Sequence, residues 1–398
     1  MRKISFILCL MIAAISSHKI IISFNNEECE QLGLSYAKHL SEKARKLSSL
    51  HHIGMLIVDI DLLVLTKFAS EFKEFRDCVS AFEEDKEIIF DYPKPVEVSA
   101  ESRDQWHLKR INVKTLPLPS TVQRRISSSA PVHVIVIDSG IDGKHPDLSS
   151  RVAPASEHFS LIDNDVCCST PSDPLCDCAE HGTHCSGLVA SPKAGYNPSA
   201  ILHSVKVFDK QGQSSNSIIL QGMDKAISLS KLHPGETYIA SMSLGGSLST
   251  QINAAAQKIV NAGIFLVVAA GNETQNACVT SPASSPAAFT VGASEIDDTI
   301  AYFSNYGTCV NIFAPGSQIN SCKPGGGYQY LSGTSMATPI VAGFASAIAA
   351  SEGLSKPSDI RTAINNHISK KIVKNSYTTN NNLPYDGTDS ISIEFHEN

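Results

Sequence analysis

The chain has 398 residues and a mass of 42.6 kDa, with 42% apolar and 18% charged residues. That size and mixture imply roughly two to three folded parts with a sizeable core, and exclude disorder, coiled coil and collagen. A net charge of -7 and a pI near 6.0 exclude a basic nucleic-acid footprint, and eleven cysteines point to an oxidising compartment.

The N-terminus reads basic, apolar, small: Arg2 and Lys3, the run Ile4 to Ile15, then Ser16 and Ser17. This is the order of a signal peptide, assigned to 1–17. The run falls short of the about 20 residues a membrane span needs, and no later segment is expected to span one. From Lys19 to Pro95, 24 of 77 residues are charged and only Gly33 and Gly54 are glycines. Composition shifts near Asp91–Pro95, so a separate module is assigned to 18–98. Its spacing predicts a strand at Lys19–Phe24 and a helix over Glu30–Leu50 on Leu32, Tyr36, Ala37 and Leu40. A strand at Ile53–Val58, a helix over Leu62–Phe75 and a strand at Glu87–Phe90 follow. That is a small α+β domain.

Beyond residue 130 the runs become continuous: Val132–Ile137, Ile201–Val207, Tyr238–Met242 and Ile264–Ala269. Unbroken Val/Ile/Leu runs mark strands of a parallel sheet covered on both faces. Helical stretches at Ile218–Leu229 and Gln251–Ala262 alternate with them. The fold class is therefore α/β: a doubly wound, mostly parallel sheet with helices on both faces, assigned to 99–387 and followed by a polar tail at 388–398. Chemistry in such sheets collects beyond the carboxyl ends of the strands.

Three stretches sit there. Val132–Ile137 delivers Asp138-Ser139-Gly140, a second stretch reads His181-Gly182-Thr183-His184, and a third reads Gly333-Thr334-Ser335-Met336-Ala337 ahead of a small-residue helix at Val341–Ala350. An acid, an imidazole and a hydroxyl are the parts of nucleophilic acyl transfer. The carboxylate orients the imidazole, which takes the hydroxyl proton. A helix start at Ser335 adds a positive end beside a developing oxyanion.

These motifs resemble the subtilisin-family serine proteases, and among them the proteinase K-like branch; the order Asp, His, Ser is that family's order. The resemblance implies that Asp138 orients, His181 is base and acid, and Ser335 is the nucleophile, with His184 structural. Val267–Asn272 is similar to the oxyanion segment, making the Asn272 amide a donor. Asn272-Glu273-Thr274 is also a glycosylation sequon, read as unused because a glycan would block the site. Trp106–Ile111, Phe303–Gly307 and Phe313–Gly316 extend the likeness. Lys19–Pro95 is more faintly similar to the family's inhibitory propeptide, which implies self-processing between Val96 and Arg103.

By the same resemblance, Ser243, Leu244, Gly245, Ala269, Ala270 and Gly271 form the specificity pocket. With no carboxylate among them, they imply an apolar or aromatic P1 residue. Gly212 and its neighbours would form the substrate-pairing edge. Cys278 and Cys309 match a bridged pair, and Cys185 a buried free thiol. Cys167, Cys168, Cys176 and Cys178 read as two disulfides rather than a metal site, in either pairing, with Cys322 a further possible partner. Glu180 stands where many relatives carry Gly and reads as a solvated charge, or as a bias toward basic residues. Calcium is implied only weakly, through Pro286 and Ala288 with the neutral Asn311. No cofactor is required for catalysis. The expected partners are protein or peptide substrates and the chain's own propeptide, acting on a monomer. The alternative is a catalytically idle binding protein of the same fold.

Overall fold

The computed structural model describes residues 17–89, 105–119, 121–122, 131–162, 173–378 and 380–387. The expected leader, the Val96–Arg103 window, Cys167, Cys168 and the 388–398 tail lie outside the described residues.

The continuous apolar runs assemble into one seven-stranded sheet. From edge to edge it runs Ile312–Pro315, Phe289–Ser294, Ile264–Ala269, Thr237–Met242, Val132–Asp138, Ile201–Lys206 and Phe159–Ser160. Every neighbouring pair is parallel. Alternation within one strand serves two cores. Val134 and Val136 pack on the face holding Thr334–Glu352 and His181–Ala190, while Ile135 and Ile137 pack on the face holding Asn216–Leu229 and Thr250–Asn261. Phe289–Ser294, Ile312–Pro315 and Phe159–Ser160 were not legible as strands. They are short or broken by Gly292, Ser294 and Pro315, and only pairing on an existing sheet defines them. The Thr334–Glu352 helix is long and apolar enough to cross a membrane, yet 94% of that stretch is buried as a core helix.

The N-terminal module is a four-stranded antiparallel sheet in the order Lys46–Leu50, Met55–Asp61, Ser17–Phe24, Val79–Glu84. Its helices are Glu27–Ser35, Ala37–Ser41, Leu62–Glu71 and Lys73–Cys78. Two expectations need correction. The helix expected over Glu30–Leu50 is two short helices, Glu27–Ser35 and Ala37–Ser41, and Lys46–Leu50 is a strand because its backbone pairs with Met55–Asp61. Val79–Glu84 forms the fourth strand, while Glu87–Ile89 leaves the module and pairs antiparallel with Gln213–Ser215 of the large domain. Polar residues in both five- to six-residue segments hid their strand character. A disulfide joins Cys29 to Cys78, a pair the sequence reading did not connect.

Ile20, Ile22, Leu56 and Val58 point to the module's own helices, whereas Ile21, Met55 and Ile57 pack on the large domain. Polar contacts fix the dock. Asp85 accepts from Ser217 N (2.8 Å) and Ser217 Oγ (2.7 Å), placing a carboxylate at the positive start of the Asn216–Leu229 helix. Asp224 Oδ1 accepts from the backbone of His52 (2.7 Å) and Ile53 (3.2 Å).

Candidate active site

Asp138 closes its strand, and His181 opens the His181–Ala190 helix. His181 Nδ1 lies 2.7 Å from Asp138 Oδ1, which also accepts from Ser139 N at 2.7 Å. The helix start is held from outside: Gly182 N donates to Ser139 Oγ (2.9 Å), Ser139 Oγ to Asp177 Oδ1 (2.8 Å), and Thr183 N to Asp177 Oδ2 (2.8 Å). Position 182 must be glycine, since a Cβ there would lie 2.1 Å from the Gly140 carbonyl oxygen. Glu180 adopts φ 67, left-handed backbone that explains why glycine suits the position and that costs a non-glycine about 1–2 kcal/mol.

Burial works against charging His181, but the buried Asp138 carboxylate reverses this and holds the imidazole well above its ordinary value of 6.5. Cys185 lies beside it, 3.9 Å from Nδ1, with its own thiol pushed up by burial. A neutral thiol adds no charge, so Asp138 is the operative cause. His184 is pushed down to about 3 by burial and bonds the carbonyls of Ile319 (3.1 Å) and Gln329 (3.2 Å). It is a neutral structural residue.

Ser335 stands in the first turn of Thr334–Glu352, which contains Pro339. Proline has no N–H for the carbonyl four residues back, so Ser335 O is released from the helix. It accepts instead from Ser243 Oγ (2.9 Å) and Cys185 Sγ (3.4 Å). In the rotamer present, Ser335 Oγ donates to the Ser243 carbonyl at 3.3 Å. Asn272 Oδ1 accepts from Thr334 N (2.8 Å) and Thr334 Oγ1 (2.9 Å). With its oxygen fixed there, the amide turns its N–H groups the other way. Thr334 was missed as the residue that aims Asn272, though it sits within the serine motif itself.

Ser335, Thr334 and Asn272 line a cleft of about 710 Å³ with Leu244, Gly245, Ala269, Ala270 and Gly271. One correction concerns its walls: Ser243 supports Ser335 from behind and does not line the cleft. Gly212 is the turn residue, with φ 76, that leads into its neighbours Gln213–Ser215, which form an edge strand. The expectation of a carboxylate-free pocket also changes: Glu273 lines the cleft, its Oε2 accepting from Asn305 Nδ2 at 2.7 Å.

The calcium set does not fit an ion. Asn311 Oδ1 accepts from Thr290 N (2.7 Å), and the Ala288 carbonyl accepts from the Arg361 guanidinium (2.8 Å), a cation already in place. Cys278 and Cys309 are bridged, and Cys185 is a buried free thiol. Cys322 is also buried and free, correcting its candidacy as a disulfide partner. Cys176 and Cys178 are disulfide-bonded, but not to each other, since their sulfurs stand 3.8 Å apart.

The description "Subtilase family" matches residues 130–387, which is 258 of the 398 residues. The chain belongs to that family. As a subtilase it is 43% identical over 240 residues to Subtilisin-like protease 7 of Arthroderma gypseum, covering 60% of this chain and 57% of that protein. It is 35% identical over 287 residues to the Extracellular serine proteinase of a Thermus strain, covering 72% and 66%. Both alignments thus span less than two thirds of the relative. Among solved structures, a cold adapted subtilisin-like serine proteinase matches with TM-score 0.64 and 34% identity, over 70% of this chain and 97% of that one. Subtilases are serine endopeptidases, and the mostly parallel sheet with helices is their fold.

Proposed function

We propose that this subtilase is a secreted serine endopeptidase, made as a zymogen that cuts itself between Val96 and Arg103. The observation that carries the reading is the buried Asp138–His181 pair, set in the same active-site region as Ser335 and an Asn272 amide aimed by Thr334. In that reading Ser335 Oγ turns from the Ser243 carbonyl to His181 Nε2 and attacks the substrate carbonyl. His181 takes the hydroxyl proton, Asp138 stabilises the imidazolium, and the proton passes to the leaving amine. Water then hydrolyses the acyl-enzyme by the same route in reverse. The oxyanion meets the Asn272 amide and the helix start. A fluorophosphonate is expected to add its mass to Ser335; a chain that stays unlabelled and cleaves no peptide overturns the reading.

Asn272→Ala is expected to lower kcat by about 10²–10³-fold with KM little changed. Steady-state kinetics on one peptide substrate checks this, and an equal rise in KM would place Asn272 in ground-state binding instead.

The small apolar walls support an apolar or aromatic P1 residue. Glu273 adds tolerance for Lys or Arg at the rim. Glu273→Gln is expected to lower kcat/KM for P1 Lys about two- to five-fold while leaving P1 Phe unchanged, the modest size reflecting a solvent-screened charge. Equal effects on both substrates would remove Glu273 from specificity.

Residues 18–98 would be the inhibitory propeptide. Support comes from Glu87–Ile89 lying antiparallel on Gln213–Ser215, where a substrate backbone would lie. Secretion rests on the leader-like sequence and the extracellular relative.

A further inference from the structure

We propose that Asp177 is a positioning residue for the reaction: acting through Ser139, it holds the Asp138 carboxylate against His181. The proposal rests on the reading of Asp138, His181 and Ser335 as the catalytic set.

The Asp138 carboxylate is pinned at one oxygen. Oδ1 accepts from His181 Nδ1 (2.7 Å) and Ser139 N (2.7 Å), whereas buried Oδ2 has no hydrogen-bond partner among the described residues. Where Oδ1 sits, and with it the imidazole, therefore depends on how the Ser139 peptide is turned. The Ser139 side chain fixes that turn. Its hydroxyl accepts from Gly182 N (2.9 Å), the residue after His181, and donates to Asp177 Oδ1 (2.8 Å). The neighbours of the acid and of the base are thus tied to one hydroxyl, and that hydroxyl to one carboxylate.

Asp177 is built as a fixed point. It is buried, its Oδ1 also accepts from Ala179 N (3.2 Å), and its Oδ2 accepts from Thr183 N (2.8 Å). Every partner donates, as an ionised carboxylate requires. Burial, and after it the Asp138 charge, push this carboxyl up, while the bonds from Thr183 and Ser139 act against them. Capping the His181–Ala190 helix would need the Thr183 bond alone; the Ser139 bond reaches the residue after Asp138 instead.

The segment that carries Asp177 is braced on both sides. Cys176 and Cys178 are each disulfide-bonded, though not to each other. The Cys176 carbonyl accepts from Lys206 Nζ (3.1 Å), a buried lysine at the strand position paired with Asp138. That carbonyl also closes the space beside Gly140, where a Cβ would lie 2.3 Å from it. Asp177 is therefore held by contacts independent of the bonds it gives to the active site.

Asp177→Asn keeps the shape, but whichever way the amide turns, an N–H donor faces another donor. In the self-processed enzyme it is expected to lower kcat about 10–10²-fold with KM within about two-fold, the size of loss a small misplacement causes. The deciding readout is the imidazole itself. In the full-length Ser335→Ala chain, proton NMR follows the His181 Nδ1 proton, identified by its loss in Asp138→Asn. Asp177→Asn is expected to move its titration midpoint down, because a looser Asp138 supports the imidazolium less. Neither Cys185 nor His184, the other titratable groups near His181, is altered. Ser139→Ala is expected to act in the same direction, and the double variant to cost no more than the worse single, since both break one link. Circular dichroism controls for folding, and Ser139→Ala carries the test if Asp177→Asn does not fold. With an active wild type, an unmoved midpoint in a folded variant, or losses that add in the double, overturns the proposal alone. A wild type that cleaves no peptide overturns the catalytic reading on which it rests.

Discussion

Ser335→Ala is expected to lower peptide hydrolysis by about 10⁶-fold, the size of loss known for the subtilisin nucleophile. No neighbour can take over: Cys185, the nearest thiol, is buried and pushed up by burial, so it carries no thiolate at neutral pH. The same variant is expected to remain a single full-length chain, whereas the wild type is cut between Val96 and Arg103. Intact masses of the two, expressed side by side, give the answer. If both stay whole and neither cleaves a peptide, the binding-protein reading takes over. If both are cut alike, the processing is done by another protease.

Asp138→Asn is expected to lower kcat by about 10⁴-fold while leaving the fold in place. Its second effect is on pH dependence. His181 works as a base only when neutral, and Asp138 holds its imidazolium well above 6.5. The acid limb of kcat/KM, which reports the free enzyme, therefore lies above 6.5 in the wild type and activity rises as pH rises through it. Without the carboxylate's charge, burial is left to act alone, and burial lowers an imidazole. The limb is expected to move down. Profiles of both proteins between about pH 5 and 10 check this. An unmoved limb would mean that another group titrates in that range.

The two substitutions separate roles that the single Asp138–His181 contact of 2.7 Å joins. One removes the attacking atom; the other leaves it and removes what tunes its base.

Much of the large domain was legible from local pattern. Val132–Asp138, Ile201–Lys206, Thr237–Met242 and Ile264–Ala269 are strands as expected, because a strand buried on both faces must be apolar at every position. The motifs at Asp138, His181 and Ser335 were legible for a related reason: a reactive group at a strand end or helix start needs its turn residues beside it in sequence. Cys278–Cys309 followed from family likeness.

Tertiary structure alone decided the rest. Lys46–Leu50 is a strand only through Met55–Asp61, and Glu87–Ile89 left its own module for a partner strand more than a hundred residues away. The Ala288 carbonyl, weakly implied as a calcium ligand, instead accepts from the Arg361 guanidinium, which reaches it across the fold. Glu273 entered the cleft because Asn305 holds its carboxylate there, and His203 met His133 because parallel pairing made their strands neighbours. Local composition determines which segments form strands and helices and where reactive groups emerge, since those depend on periodicity and turn chemistry. Which side chains share protons, charge or an ion depends on distances between residues far apart in the chain, and only packing sets those.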